Sequence, residues 1–179
     1  MKARILLTFI VSLTLLISCK DEKKEGENKQ PIKENFSAEL DVTASKKDDF
    51  AMYFTEDNTT NFPTENAVWH GVKGGNVREK ILFDLSKEKI PTDIRLDFGL
   101  KKDQDSVILY NIKIEYYGNV FNIKGSDFFK YFVENKIFKT EQDLPNQSLK
   151  IFKSNSDYTP FFYPKRELVD EIKKLTTTK

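Results

Sequence analysis

Apolar and polar residues alternate along positions 36–45. Phe36, Ala38, Leu40, Val42 and Ala44 fall on one side, and Ser37, Glu39, Asp41, Thr43 and Ser45 on the other. A period of two marks a half-buried strand, because successive side chains of an extended chain point to opposite faces. Lys46 to Asp49 predicts a turn, after which Phe50, Met52 and Phe54 resume the alternation, so the two segments together predict a hairpin. Positions 56–65 are polar and carry Pro63. Strands are predicted at 67–73 and 77–85, on either side of Gly74-Gly75-Asn76, residue types that accept positive φ. Ile94, Leu96, Phe98 and Leu100 alternate next. In the longest strand Ile108, Tyr110, Ile112, Ile114 and Tyr116 are expected to share one face, with Asn111, Lys113 and Glu115 opposite. A turn at Gly118-Asn119 leads into a strand at 120–124.

About seven short strands joined by polar turns predict a mainly β fold, an antiparallel, jelly-roll-like β-sandwich. A parallel sheet would need helices between its strands, and no helical period occurs before residue 125. The pattern then changes. Ser126 or Asp127 can cap a short helix in which Phe128, Phe129, Phe132 and Val133 cluster. Positions 149–153 and 158–163 look extended. Pro164 opens a C-terminal amphipathic helix with Leu168, Ile172 and Leu175 at i, i+4 and i+7. That stripe is expected to pack on the sandwich; docking to a partner is the alternative.

The N-terminal pattern is of another kind. Lys2 and Arg4 precede an uncharged run at 5–17 of roughly 13 residues, the length of a signal-peptide core and too short to span a bilayer. Leu16-Ile17-Ser18-Cys19 resembles the lipobox of bacterial lipoproteins, with a small residue before the cysteine and an aliphatic one three before it. The resemblance implies cleavage after residue 18 and acylation of Cys19. Cys19 is the only cysteine, so it has no disulfide partner in the chain. Residues 19–34, rich in Lys, Glu and Asp, cannot build a core and read as a solvated tether. Lys20-Asp21-Glu22 resembles the export signal of Bacteroidota surface lipoproteins. Together these imply an outer-membrane, lipid-anchored protein, with exposure at the cell surface as one orientation. Residues 35–179 are left as a single domain, large enough for its own core.

The stretches DDFAMYF, NAVWHGVKG, REKILFDL, DIRLDFG and SVILYNIKIEYYGN, within residues 36–124, resemble the jelly-roll sandwiches of galactose-binding-like and carbohydrate-binding modules. Members of that group bind sugars through loops or a sheet face, or hold larger proteins together. The resemblance carries over no binding residue.

Composition narrows the chemistry. A net charge of +1 gives no field that would favour nucleic acid. His70 is the only histidine, and lipid is expected to consume the only thiol, so a Cys-His pair is excluded and no Cys/His cluster can hold zinc. His70, beside Trp69 in a strand, reads as structural. Glu56-Asp57-Asn58 lacks EF-hand spacing and reads as a solvated turn. Acids are too numerous for any pair to be singled out as a glycosidase dyad. No cofactor is implied, and a hydrolase is the least supported class.

Aromatics remain: 15 Phe, 7 Tyr and one Trp. Those expected outside the core are Tyr53, Phe62, Trp69, Tyr117 and Tyr158. Flat rings suit stacking on sugars and supply contact hot spots. The candidate ligand-binding residues are therefore Trp69, Tyr53 and Tyr117, the first two on one face if their strands are neighbours. The expectation is a non-catalytic binding module with a glycan as favoured ligand. The alternative is a structural or accessory protein-interaction lipoprotein of an envelope complex.

Overall fold

In a computed structural model the described residues are 32–153 and 159–177. Cys19, the signal segment and Tyr158 lie outside them. In chain order the elements are β1 (Ser37–Ala44), β2 (Asp48–Thr55), β3 (Ala67–Val72), β4 (Arg78–Asp84), β5 (Asp93–Asp97), β6 (Ser106–Tyr116), β7 (Asn119–Lys124), α1 (Phe128–Tyr131), β8 (Lys139–Asp143), β9 (Ser148–Phe152), β10 (Phe161–Phe162) and α2 (Arg166–Thr177). The large sheet runs β4-β1-β6-β9-β8, with β7 also paired to β6; the small sheet runs β10-β5-β2-β3. Every strand pairing is antiparallel. The expected mainly β, antiparallel sandwich with a short helix and a C-terminal helix is the fold that forms. Its core joins Leu40, Val42, Ile81, Phe83, Ile112 and Ile114 of the large sheet to Phe50, Met52, Ile94 and Leu96 of the small one.

The hairpin expected from β1 and β2 does not form. β1 pairs with β4 and β6, whereas β2 pairs with β3 and β5, in the other sheet. The chain arches across the core between residues 44 and 48 and crosses back between 72 and 78. The second crossing clamps the first: Gly75 N donates to Ser45 O at 2.9 Å and Asn76 N to Ala44 O at 3.0 Å. A Cβ on Gly74, at φ +75°, would stand 2.1 Å from the Lys46 carbonyl carbon, so this approach needs glycine. Alternation looks the same in a hairpin and in an arch; only the pairing partners distinguish them.

Buried polar groups fix the arch. Asp48 accepts from the backbone N–H of Leu100 at 2.9 Å and of Asp49 at 2.8 Å. Gln104 donates to Lys46 O at 2.9 Å and accepts from Lys46 N at 2.8 Å. Such groups are retained in a core only when hydrogen-bonded, and these tie the first crossing to the β5–β6 loop.

The face expected for β6 is half wrong, because the strand carries a bulge. Asp41 pairs with Asn111 and Val42 with Leu109, leaving Tyr110 as the extra residue. Val107 and Leu109 point inward before the bulge; Ile112, Ile114 and Tyr116 do so after it. Ile108 and Tyr110 face outward instead, with Asn111 beside them. β8 was not expected at all: its sequence KTEQD has no apolar period, since it is an exposed edge strand.

The C-terminal helix starts at Arg166 rather than Pro164, which pairs as a bridge with Phe132. Leu168, Ile172 and Leu175 are buried, and α2 packs against α1, β5, β6 and β7. Phe128 and Phe132 stack at 4.4 Å inside this closure; Val133, expected with them, is exposed. The stripe is part of the core and is not available for docking.

Candidate functional site

Strand register assembles a cluster on the outer face of the small sheet. In the β2–β3 pair Ala51 is opposite Trp69 and Tyr53 opposite Ala67. Tyr53 and Trp69 are thus diagonal neighbours on one face, where large rings can touch. Their centroids are 6.1 Å apart with planes at 73°. In the β2–β5 pair Tyr53 is opposite Arg95. The guanidinium carbon sits 4.1 Å from the Tyr53 ring centroid, and Phe62, Phe161 and Tyr163 surround it at 5.8, 5.6 and 5.6 Å. Arg95 Nε and Nη2 each donate to an Asp97 carboxylate oxygen at 2.8 Å. The two residues lie two apart on β5 and so share a face.

The electrostatics follow from partial exclusion of water. Burial lifts the Asp97 carboxyl above its ordinary value despite the hydrogen bond and charge of Arg95. Burial opposes the charge on Arg95, but Asp97 and a hydrogen bond to Tyr163 outweigh it and raise the Arg95 pKa. Burial, reinforced by Asp97 and opposed by Arg95, also raises Tyr53. Its phenol is therefore neutral across the physiological range. The face thus presents aromatic rings around a fixed cation that is largely neutralised by its own carboxylate.

The predicted residues fare differently. Trp69 is 45 % exposed, so an open part of its indole reaches solvent. Tyr53 is only 7 % exposed, and Arg95 occupies one face of its ring. It supports Trp69 and Arg95 instead of offering a stacking surface. Phe62 reaches the cluster from the β2–β3 connection and packs on Tyr163 at 5.7 Å. Tyr117 does not join them: it lies in the β6–β7 turn of the large sheet at φ +48°, against Tyr116. His70 points the other way from Trp69 and meets Phe83 edge-on.

Sequence reasoning missed Arg95, Asp97 and Tyr163. The spacing Arg95-Leu96-Asp97 around one apolar residue was a legible sign that a charged pair shares a strand face. Nothing in the sequence placed Phe161 and Tyr163, because β10 is two residues long.

The large sheet carries a second feature, a basin of about 570 Å³ on its outer face. Its floor is Ile108, Tyr110 and Asn111, the residues the bulge turns outward, and Arg78 and Lys124 stand at its edge. Among the described residues no group of three or more His, Cys, Asp or Glu is placed to hold a metal ion. No described helix is long and apolar enough to cross a membrane. Comparisons with protein-family models, curated proteins and solved structures find no match for the chain.

Proposed function

We propose that the protein is a non-catalytic, extracytoplasmic binding module, held to the outer membrane through acylated Cys19, and that its ligand is a glycan. The observation that carries the reading is the contiguous aromatic cluster on the outer face of the small sheet, with Trp69 open to solvent. The outward face of a sheet that only meets water is ordinarily polar. Here Trp69, Tyr53, Phe62, Phe161 and Tyr163 occupy it around Arg95. Rings of this kind stack on the C–H faces of sugars while their polar edges and neighbouring hydrogen-bonding groups take hydroxyls. The lipobox and the charged tether supply the address.

The alternative, a protein-docking lipoprotein with the C-terminal helix and the extended region after residue 135 as its surfaces, loses the first of them because Leu168, Ile172 and Leu175 are buried; the second keeps Ile137 and Leu144 exposed. A glycan array probed with the full chain separates the two readings. Binding to a defined class of glycans, lost in Trp69→Ala with the thermal midpoint unchanged, supports the proposal. An absence of binding across a broad array removes the glycan part.

A further inference from the structure

The basin on the large sheet is built by two departures from regular sheet. The first is the bulge. Because Tyr110 has no partner in β1, both Tyr110 and its neighbour Asn111 face outward, where strict alternation would have turned one of them into the core. Bulges re-aim side chains in this way, often beside functional sites. The second is a fork. One edge of β6 pairs with β7 from Asn111 onward and with β9 up to Leu109, so the two strands separate at Tyr110. Gly125 seals the core side of the fork: a Cβ there would stand 2.1 Å from Leu109 O and 2.8 Å from Leu149 N.

The groups around this basin ask for a ligand that carries both an anionic acceptor and hydroxyl donors. The Arg78 guanidinium carbon sits over the Tyr110 ring, 3.9 Å from its centroid, and Nε and Nη2 donate to Asp41, which among the described residues leaves Nη1. Lys124 makes no ion pair among the described residues. Among the described residues the Asn111 side chain makes only a 3.4 Å bond to Asn122, and the Gln147 amide makes no side-chain bond. The one carboxylate on the lining, Asp143, accepts from the Asn146 backbone N–H at 3.1 Å and its side-chain amide at 2.7 Å, which favours its ionised form and leaves each oxygen able to take a ligand hydroxyl. The lining thus offers the donors of Lys124, Arg78 and Gln147 beside the Asp143 carboxylate, over a floor in which Ile108 and Tyr110 supply apolar surface. A space of about 570 Å³ is the size of a small-ligand site. It shares Ile108, Asp143 and Ser148 with a neighbouring hollow of about 460 Å³, which Glu141 and Lys150 also line.

We infer that this basin is a second binding site, distinct from the aromatic face, that takes an acidic sugar residue of the uronate type. Lys124 and Arg78 meet the carboxylate, Asn111 and Gln147 meet ring hydroxyls, and Ile108 with Tyr110 meets the C–H face. The inference deepens the glycan reading and rests on it for ligand class, but it uses different residues.

The test is a calorimetric titration of the full chain with glucuronate, glucose, acetate and inorganic phosphate, on wild type, Lys124→Gln, Asn111→Ala and Trp69→Ala. Glucuronate is expected to bind, with glucose and acetate each about tenfold weaker or worse, since each lacks a charged or a hydroxyl contact. Lys124→Gln and Asn111→Ala are expected to weaken glucuronate about tenfold with unchanged thermal midpoints, and Trp69→Ala to leave it intact. Acetate or phosphate matching glucuronate would make the basin a simple anion site and overturn the sugar assignment. Loss in Trp69→Ala but not in Lys124→Gln would overturn the basin while sparing the aromatic face. No binding of glucuronate by a wild type that still binds array glycans would likewise end the proposal alone.

Discussion

Arg95 carries its charge in a place where little water reaches it, and its stability contribution depends on Asp97. Their side chains are 17 % and 8 % exposed. A bidentate pair this enclosed contributes little over an apolar replacement, but removing one partner strands the other. Arg95→Ala is expected to lower stability by about 3 kcal/mol at neutral pH, because Asp97 is then an unpaired buried carboxylate. The sign with pH follows from Asp97. Its folded pKa is raised by burial, so the native state binds that proton more tightly than the unfolded chain does. The resulting stabilisation is present at low pH and is lost as pH rises from the ordinary carboxylate range through the raised value. Without Arg95 that value rises further, so the deficit of the variant should shrink on acidification. Urea unfolding from pH 7 down into the ordinary carboxylate range measures this; a deficit that stays constant over that whole range would contradict the assigned pairing.

At the scale of elements, α2 bridges the two sheets and Gly125 lets β6 and β9 approach within one of them. Ile172 anchors α2 across the open edge between the sheets and is fully buried. Ile172→Ala should cost about 3 kcal/mol through lost burial and the cavity left behind, which a denaturant midpoint would register. Gly125→Ala forces β9 away from β6 at the fork and is expected to cost about 2 kcal/mol or more. It should also disturb the basin, whereas Gly75→Ala, with no heavy atom within 4 Å of the added Cβ, meets only backbone strain. A thermal midpoint for Gly125→Ala no lower than that of Gly75→Ala would contradict the close approach.

These elements also explain what the sequence could reveal. Period-two stretches named β1, β2, β5 and the latter half of β6, and the i, i+4, i+7 stripe named α2, because burial on one face imposes those periods. The alternation could not say whether β1 turns back on itself or arches to the other sheet, since both use the same inward residues. The bulge at Tyr110 was hidden for a related reason: Ile108 and Tyr110 are strand-forming and apolar, so their outward face looked like an inward one. At the candidate face, Trp69 and Tyr53 were legible as outward residues, but that their strands are neighbours came only from the β2–β3 pairing. That Arg95 would lie over the Tyr53 ring depended on the β2–β5 register, which is set by long-range pairing.

For the molecule as a whole, the two outer faces divide the chemistry. The small sheet offers rings around a neutralised cation, and the large sheet offers unpaired donors in a basin. With a net charge of +1 on the whole chain, neither face is helped by a long-range field. Binding of neutral glycans to the aromatic face should change little between low and high salt, while uronate binding in the basin should weaken as salt screens Lys124 and Arg78. The central claim is that Trp69 touches the ligand, and the chain supplies its own reporter because Trp69 is its only tryptophan. The decisive measurement is the fluorescence of the full chain titrated with a glycan that it binds on the array, with acrylamide quenching recorded at each step. A saturable change in emission and a fall in acrylamide accessibility are expected as sugar covers the exposed part of the indole. Saturation of the protein with glycan while the emission and quenching of Trp69 stay as they were would contradict it.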